Sequence, residues 1–267
     1  MTMSSILPND LNFSACIDEY DDNLESSIKS IKKKPIDSMS ILNINGKYIS
    51  DLPDDTLLKI KSMLTNITVH AIKLDIGFKT TLTDASIDKQ LSVAKFFGAS
   101  RVIVGICKNI VGSDEALKSF TNRIADKCIS LALLPIIEMS TEMMIESPDD
   151  MVAFISRYKK IKLLYDPCRF MERANTQPYI KWWGKIKTFV DSIVVRDFKT
   201  GFGFSPAGHG DTKIIQTVDE FIQAGGRNLI FKPSLGRRYG SVIGKNATFD
   251  LGYDIFTNWL RGKTNGD

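Results

Sequence analysis

The sequence predicts a single eight-stranded β/α barrel, and three observations predict it. Short apolar runs alternate with amphipathic stretches along the whole chain, at a spacing of roughly 30 residues, the size of one βα repeat. Eight such runs occur in the 267 residues, and both numbers suit a closed (β/α)8 barrel, which usually takes about 250 residues. No glycine-rich dinucleotide turn follows the first run, which disfavours the open doubly wound sheet that would give the same local pattern.

The strands are expected at Leu11 to Ile17, Asp37 to Leu42, Ile67 to Leu74, Arg101 to Ile106, Leu133 to Met139, Ile161 to Asp166, Ser192 to Asp197 and Asn228 to Lys232. Several are nearly continuous apolar runs, as expected where a parallel sheet is covered by helices outside and filled by side chains within. Between them, Leu117, Phe120, Ile124, Cys128 and Leu131 step by three or four and share one helix face. Ser113 is placed to cap that helix, and Asp114 and Glu115 suit its first turn. A further helix opens at Ser147 with Pro148 in its first turn and buries Met151, Ile155 and Tyr158. Ile214, Val218, Phe221 and Ile222 form another stripe, which Gly225 and Gly226 close. No linker divides the chain, so residues 1–267 read as one domain; Thr200 to Gly210 is its most conspicuous glycine-rich interruption.

Composition narrows the class. With 43% hydrophobic and 25% charged residues the chain is an ordinary globular protein. Lysine and arginine exceed aspartate and glutamate by 35 to 31, a net charge of +4. That excess is too small to predict nucleic-acid binding without a clustered basic face, so none is expected. Lys32 to Lys34 follows the first helix and is read as complementing its C-terminal dipole. The four cysteines, Cys16, Cys107, Cys128 and Cys168, are dispersed without a CxxC pair. Zinc-ribbon and thioredoxin readings fail, and a reducing, cytoplasmic location is expected. Met1 to Pro8 has no leader-like pattern, and no apolar run is long enough to span a membrane.

In such a barrel the chemistry sits at the C-terminal ends of the strands, so polar residues ending apolar runs are the informative ones. Strand five ends in Glu138, strand six in Asp166 followed by Pro167, Cys168 and Arg169, strand seven in Arg196 and Asp197, and strand eight in Lys232. Alternation along a strand pairs Ile136 with Glu138, Leu164 with Asp166, Val194 with Arg196 and Ile230 with Lys232. Two acids and two bases therefore face one mouth. His209, between two glycines after strand seven, is the acid/base candidate, because imidazole titrates near neutral pH. His70 lies within an apolar strand and reads as a hydrogen-bonded core histidine. Arg169 and Arg196 suit bidentate binding of a phosphate or carboxylate. Arg237 and Arg238 follow strand eight, where barrels often bind phosphate. Adjacent Trp182 and Trp183 point about 100° apart on a helix, which leaves one to cover a contact between copies, and a homo-oligomer is expected on that ground.

The residues AspLysGlnLeuSerValAlaLysPhePheGlyAlaSerArgValIleVal (88–104), IleIleGlu138, LeuTyrAsp166ProCysArg169, ValValArg196Asp197 and ProAlaGlyHisGlyAsp (206–211) occur in an order and spacing similar to the xylose-isomerase-like TIM barrels. That superfamily includes sugar isomerases and epimerases and the endonuclease IV group. The resemblance implies a divalent metal held by a strand-five Glu, a strand-six Asp, a strand-seven His and a strand-eight Glu. This chain keeps Glu138 and Asp166, but Val194 and Lys232 stand at the other two positions, and Arg169 replaces a further histidine. A degenerate metal site is expected, with no metal and no cofactor. Two carboxylates in a poorly solvated cavity repel by roughly 4 kcal/mol at about 4 Å and an effective dielectric of 20. The expectation is that Lys232, with Arg169 or Arg196 beside it, supplies the compensating charge. A Schiff-base role for Lys232 is disfavoured because nearby carboxylates keep its amine charged.

Three functions follow from these expectations. The first is a metal-free isomerase or epimerase of a sugar or sugar phosphate, using Glu138, Asp166 or His209 for proton transfer and Lys232, Arg169 and Arg196 for charge stabilisation. The alternative is a non-catalytic or regulatory barrel that binds a small anionic or polyhydroxylated metabolite. An abasic-site endonuclease is disfavoured, since a multinuclear zinc cluster needs more than the two histidines present.

Overall fold

A computed structural model of the chain describes residues 10–78, 83–108, 113–139, 143–174 and 177–264; the Met1 to Pro8 segment lies outside them. Eight parallel strands close into a barrel: β1 (Asn12–Cys16), β2 (Ser38–Ile41), β3 (Thr68–Lys73), β4 (Arg101–Val104), β5 (Leu134–Glu138), β6 (Lys162–Tyr165), β7 (Val190–Val195) and β10 (Asn228–Phe231). Each pairs with its sequence neighbours, and β10 closes on β1 through Asn12 opposite Asn228 and Ala15 opposite Phe231. Seven lie within the expected runs, and β7 overlaps its run but begins at Val190 rather than Ser192 and ends at Val195.

The helices form where the caps and stripes place them. Ser113 accepts from Ala116 N at 3.2 Å to open Asp114–Ser130, which buries Leu117, Ile124 and Cys128. Ser147 accepts from Asp150 N at 3.1 Å ahead of Pro148–Arg157. Gly226 N donates to Phe221 O at 2.8 Å beyond Ile214–Gln223, and Gly225 takes φ 89°. The barrel is filled by a ring of one side chain from each strand or its end: Cys16, Leu42, Ala71, Ile103, Ile136, Leu164, Val194 and Ile230. A larger apolar shell lies between strands and helices.

Three details differ from expectation. Residues 197–205 are a small antiparallel hairpin, β8 (Asp197–Lys199) and β9 (Gly203–Ser205), rather than a plain loop. Trp182 and Trp183 are both buried, because Tyr179–Trp183 is a wide π-helical turn. Trp182 packs on Phe170 at 5.3 Å between ring centres and Trp183 on Tyr165 at 5.2 Å, so neither tryptophan is left to cover a contact between copies. Lys32 reaches the C-terminus of the neighbouring helix, donating to Met63 O at 2.8 Å and Thr65 O at 3.0 Å. No helix among the described residues is long and apolar enough to cross a membrane, and the four cysteines are buried free thiols.

Candidate functional site

Two residues beyond the inner ring, at the C-terminal ends of the strands, the lining changes from apolar to charged. Lys73, Glu138, Asp166, Arg196 and Lys232 stand there, joined by Arg169 from the helix Pro167–Ala174 that follows β6. Together with Leu42, Asn43, Ile103, Leu164 and Val194 they line a cavity of about 10 Å³, room for roughly one water. The strand ends deliver these side chains by alternation alone: the residue two places after each ring member points the same way.

Glu138 is held from two sides. Lys73 Nζ makes a very short ion pair with Oε2, and Arg169 Nε donates to Oε1 at 3.2 Å. Burial pushes the Glu138 carboxyl up, but Lys73 and Arg169 together outweigh it and hold the pKa at about 2. Burial also pulls the Lys73 ammonium down; Glu138 opposes that and Arg169 adds to it, leaving it below the ordinary lysine value. The Lys73 ammonium packs over the Phe78 ring at 4.3 Å.

Asp166 is taken by Arg196. Nε donates to Oδ1 at 2.9 Å and Nη2 makes a shorter contact to Oδ2, a bidentate fork. Cys168 N caps the same carboxylate at 3.2 Å, and Arg169 Nε lies 4.0 Å away. Burial opposes the charge on Arg196, yet Asp166 outweighs it and raises the guanidinium further.

Lys232 requires a correction. It lines the mouth as expected, but its ion partners are Glu19 at 2.9 Å and Asp18 at 4.0 Å, on the loop after β1, rather than Glu138 or Asp166. The reason is geometric: β10 closes against β1, so the end of β10 meets the β1 loop before it meets β5. Burial lowers the Lys232 ammonium, and the two acids more than restore it. Ser234 N also donates to Glu19 at 2.8 Å. Arg169 meets Glu138 as expected; the second cation there is Lys73, which sequence reading missed inside the run Ile67 to Leu74. Its signal was present: Lys73 stands two places after Ala71, as Glu138 does after Ile136.

The remaining candidates lie around the mouth. Asp197 accepts from Gly208 N at 3.0 Å, Gly210 N at 2.9 Å and Thr212 Oγ1 at 2.7 Å, so it fastens the loop that carries His209. A Cβ on Gly210 would meet Asp197 Oδ1 at 2.3 Å. His209 is exposed in this loop and is not among the residues lining the cavity. Arg237 and Arg238 sit on the helix Gly236–Ile243; Arg237 lies 3.8 Å from Glu172 and 5.4 Å over the Phe204 ring, and Arg238 lies 4.8 Å over the Tyr239 ring. His70 is buried at the opposite end of the barrel, where Asn12 Nδ2 stands 2.6 Å from Nδ1 and Ser192 Oγ 3.4 Å from Nε2. Burial drives its pKa down to about 3. Among the described residues no group of three or more His, Cys, Asp or Glu side chains is arranged to hold a metal ion.

No protein-family model matches the chain, and no curated protein matches it. Solved structures do. A xylose isomerase-like TIM barrel protein from Mycobacterium smegmatis, in complex with magnesium, is 14% identical with a TM-score of 0.66 over 97% of this chain and 99% of that one. D-allulose 3-epimerase from Methylomonas sp., in complex with D-allulose, is 13% identical with a TM-score of 0.66, covering 94% and 98%. The 3-keto-D-glucoside 4-epimerase YcjR from E. coli is 11% identical with a TM-score of 0.62, covering 94% and 99%. The closed eight-stranded barrel and these end-to-end superpositions show that the chain has the TIM-barrel fold that these structures share.

Proposed function

We propose that this chain binds an anionic, polyhydroxylated metabolite at the barrel mouth, without the divalent metal that the resemblance implies. One observation carries the reading: both carboxylates that such a metal would need are already held by cations, Glu138 by Lys73 and Arg169, Asp166 by Arg196. The other two ligand positions hold Val194, which has no donor atom, and Lys232, whose ammonium would repel a metal ion. The donor set does not fit a divalent ion.

Arg169 is the natural ligand contact. It is 26% exposed where its two carboxylate partners are almost fully buried, and it reaches them through Nε, which leaves the outer edge of its fork for a phosphate or carboxylate. Because the cavity holds little more than a water, a ligand enters by parting Arg169 from Glu138. The epimerase neighbours support a sugar-type ligand. Dispersed free cysteines support a cytoplasmic location.

Binding without turnover is favoured by the fixed charges of Glu138, Lys232 and Arg196, with Lys73, which burial lowers, the exception. Glu138 is held near about 2, while Lys232 and Arg196 are raised, so these three do not exchange protons near neutral pH, where a general acid or base works best. The second reading, a metal-free isomerase or epimerase, is favoured by the convergence of Lys73, Arg169 and Arg196 on one small volume, an arrangement that would stabilise enolate-like charge. An abasic-site endonuclease gains nothing from two histidines placed apart, one in the barrel floor and one in an exposed loop.

Titration calorimetry of sugar phosphates and sugar acids in EDTA, with NMR of the same mixtures, tests this. Saturable binding without conversion is expected. Conversion in EDTA would establish the second reading, and binding that requires an added metal would overturn both.

A further inference from the structure

Two lysines line the mouth, and they are held differently. Lys232 lies between two acids, Glu19 at 2.9 Å and Asp18 at 4.0 Å. Lys73 has one carboxylate, Glu138, and shares it with Arg169. The two cations take opposite oxygens of that carboxylate: Lys73 Nζ donates to Oε2, and Arg169 Nε donates to Oε1 at 3.2 Å. An amine and a guanidinium therefore stand side by side on the cavity wall, one carboxylate's width apart.

Desolvation beside another cation is what prepares a lysine amine to attack carbon, and Lys73 meets both conditions. It is only 7% exposed, and Ile103, Leu164 and Val194 line the cavity with it. Burial pulls its ammonium down and Arg169 adds to that, so Glu138 does not restore it, whereas two acids hold Lys232 raised. The surroundings also suit the product of such an attack. An iminium keeps the single positive charge of the ammonium it replaces, so Glu138 retains its partner. The Phe78 ring, 4.3 Å from Nζ, faces a cation in either form.

We propose that Lys73 captures the carbonyl form of the anionic sugar as a Schiff base while Arg169 holds the ligand's phosphate or carboxylate. This rests on the anionic-sugar reading above. It narrows the ligand to one whose carbonyl carbon lies a few bonds from its anionic group, a spacing set by the two cations on Glu138. Lys73 first gives one proton to solvent. Its lone pair then bonds the carbonyl carbon as the C=O π pair moves to oxygen, and a nitrogen proton passes to that oxygen, giving a carbinolamine. The remaining nitrogen lone pair forms C=N as the hydroxyl leaves with a proton from solvent, as water. In sum, ammonium and carbonyl give iminium and water, with nothing oxidised or reduced. Hydrolysis runs the same steps backwards and returns the ligand unchanged, in keeping with binding without turnover.

Borohydride reduces an iminium to a stable secondary amine, which peptide mass spectrometry locates. With the full chain in EDTA, dihydroxyacetone phosphate and borohydride are expected to leave one equivalent of adduct, on the peptide that carries Lys73. Dihydroxyacetone, which lacks the anion, should need about tenfold or more higher concentration for half-maximal labelling, and Arg169→Gln should remove most of that difference. Lys73→Arg, which keeps a cation on Glu138, should abolish the adduct. Thermal unfolding establishes that this variant is folded; if it is not, the peptide map of the unaltered chain decides. Calorimetry with glycerol 3-phosphate, which has the anion and no carbonyl, reads the anionic site alone. Binding of glycerol 3-phosphate with no adduct from dihydroxyacetone phosphate overturns the Schiff-base inference and leaves the anionic-sugar reading standing. An adduct spread over other lysines and undiminished in Lys73→Arg does the same. If no adduct forms and none of the sugar phosphates or sugar acids binds, both fall.

Discussion

The two ends of the barrel are both lined by polar side chains, but they are balanced in different ways. At the N-terminal floor, Arg101 grips Asp191 one to one, at 2.6 and 3.1 Å. Around that pair Asn12, Ser38, His70, Ser192 and Asn228 exchange neutral hydrogen bonds. At the mouth the ion pairs are shared rather than one to one: Glu138 lies between Lys73 and Arg169, and Lys232 between Glu19 and Asp18. A one-to-one polar layer holds the strands in register. A shared one leaves groups that a ligand can take over, in keeping with the division of labour between the two faces of such barrels.

Acid separates the two ends most strongly. Folded His70 takes a proton only near about pH 3, whereas the unfolded chain takes it near ~6.5. The unfolded state therefore binds more protons between these limits. The floor's contribution is complete above about pH 6.5 and is lost as pH falls toward 3, on the order of 5 kcal/mol in all. His70→Gln should flatten this limb in urea unfolding curves taken from pH 7 to 4. Glu138, held at about 2, has the sign of a depressed carboxyl. Its contribution is present above ~4.3 and is lost as pH falls toward 2, so the mouth should outlast the floor on acidification.

Within the mouth, Lys232→Met should cost more than Lys73→Met. Removing Lys232 strands Glu19 and Asp18 together, a loss of about 3–5 kcal/mol for an uncompensated buried charge, or roughly 10 °C in Tm. Removing Lys73 leaves Arg169 on Glu138, and about 2 kcal/mol is expected; equal losses in a thermal melt would contradict this unequal sharing. The smallest effect should come from salt. The mouth pairs are buried, so raising NaCl from 0.05 to 0.5 M should change stability by less than about 0.5 kcal/mol through them.

Most of the fold was legible because a barrel writes itself locally. Each strand is an apolar run, each helix has its own stripe and cap, and the count of eight implies closure. Glu138, Asp166, Arg169 and Arg196 could be brought together for the same reason, since each ends or follows a strand. Lys73 was hidden because the run continues past it to Leu74 and Ile76, so it read as strand interior; counting two places from Ala71 would have found it. Lys232 was placed correctly in the mouth and paired wrongly, because pairing depends on which strand closes against which. Spacing gives the direction of a side chain, whereas closure of β10 on β1 chooses its neighbours. The two tryptophans were misjudged by assuming an ordinary helix where the chain widens into a π turn.

The account rests on cations having taken the place of an ion between Glu138 and Asp166. Elemental analysis of the purified chain after dialysis against Mg²⁺, Mn²⁺, Co²⁺ and Zn²⁺, paired with thermal melts in each, measures this most directly. The expected result is no stoichiometric metal and no change in Tm relative to EDTA. One equivalent of any of these ions, lost on Glu138→Gln or Asp166→Asn, would contradict it.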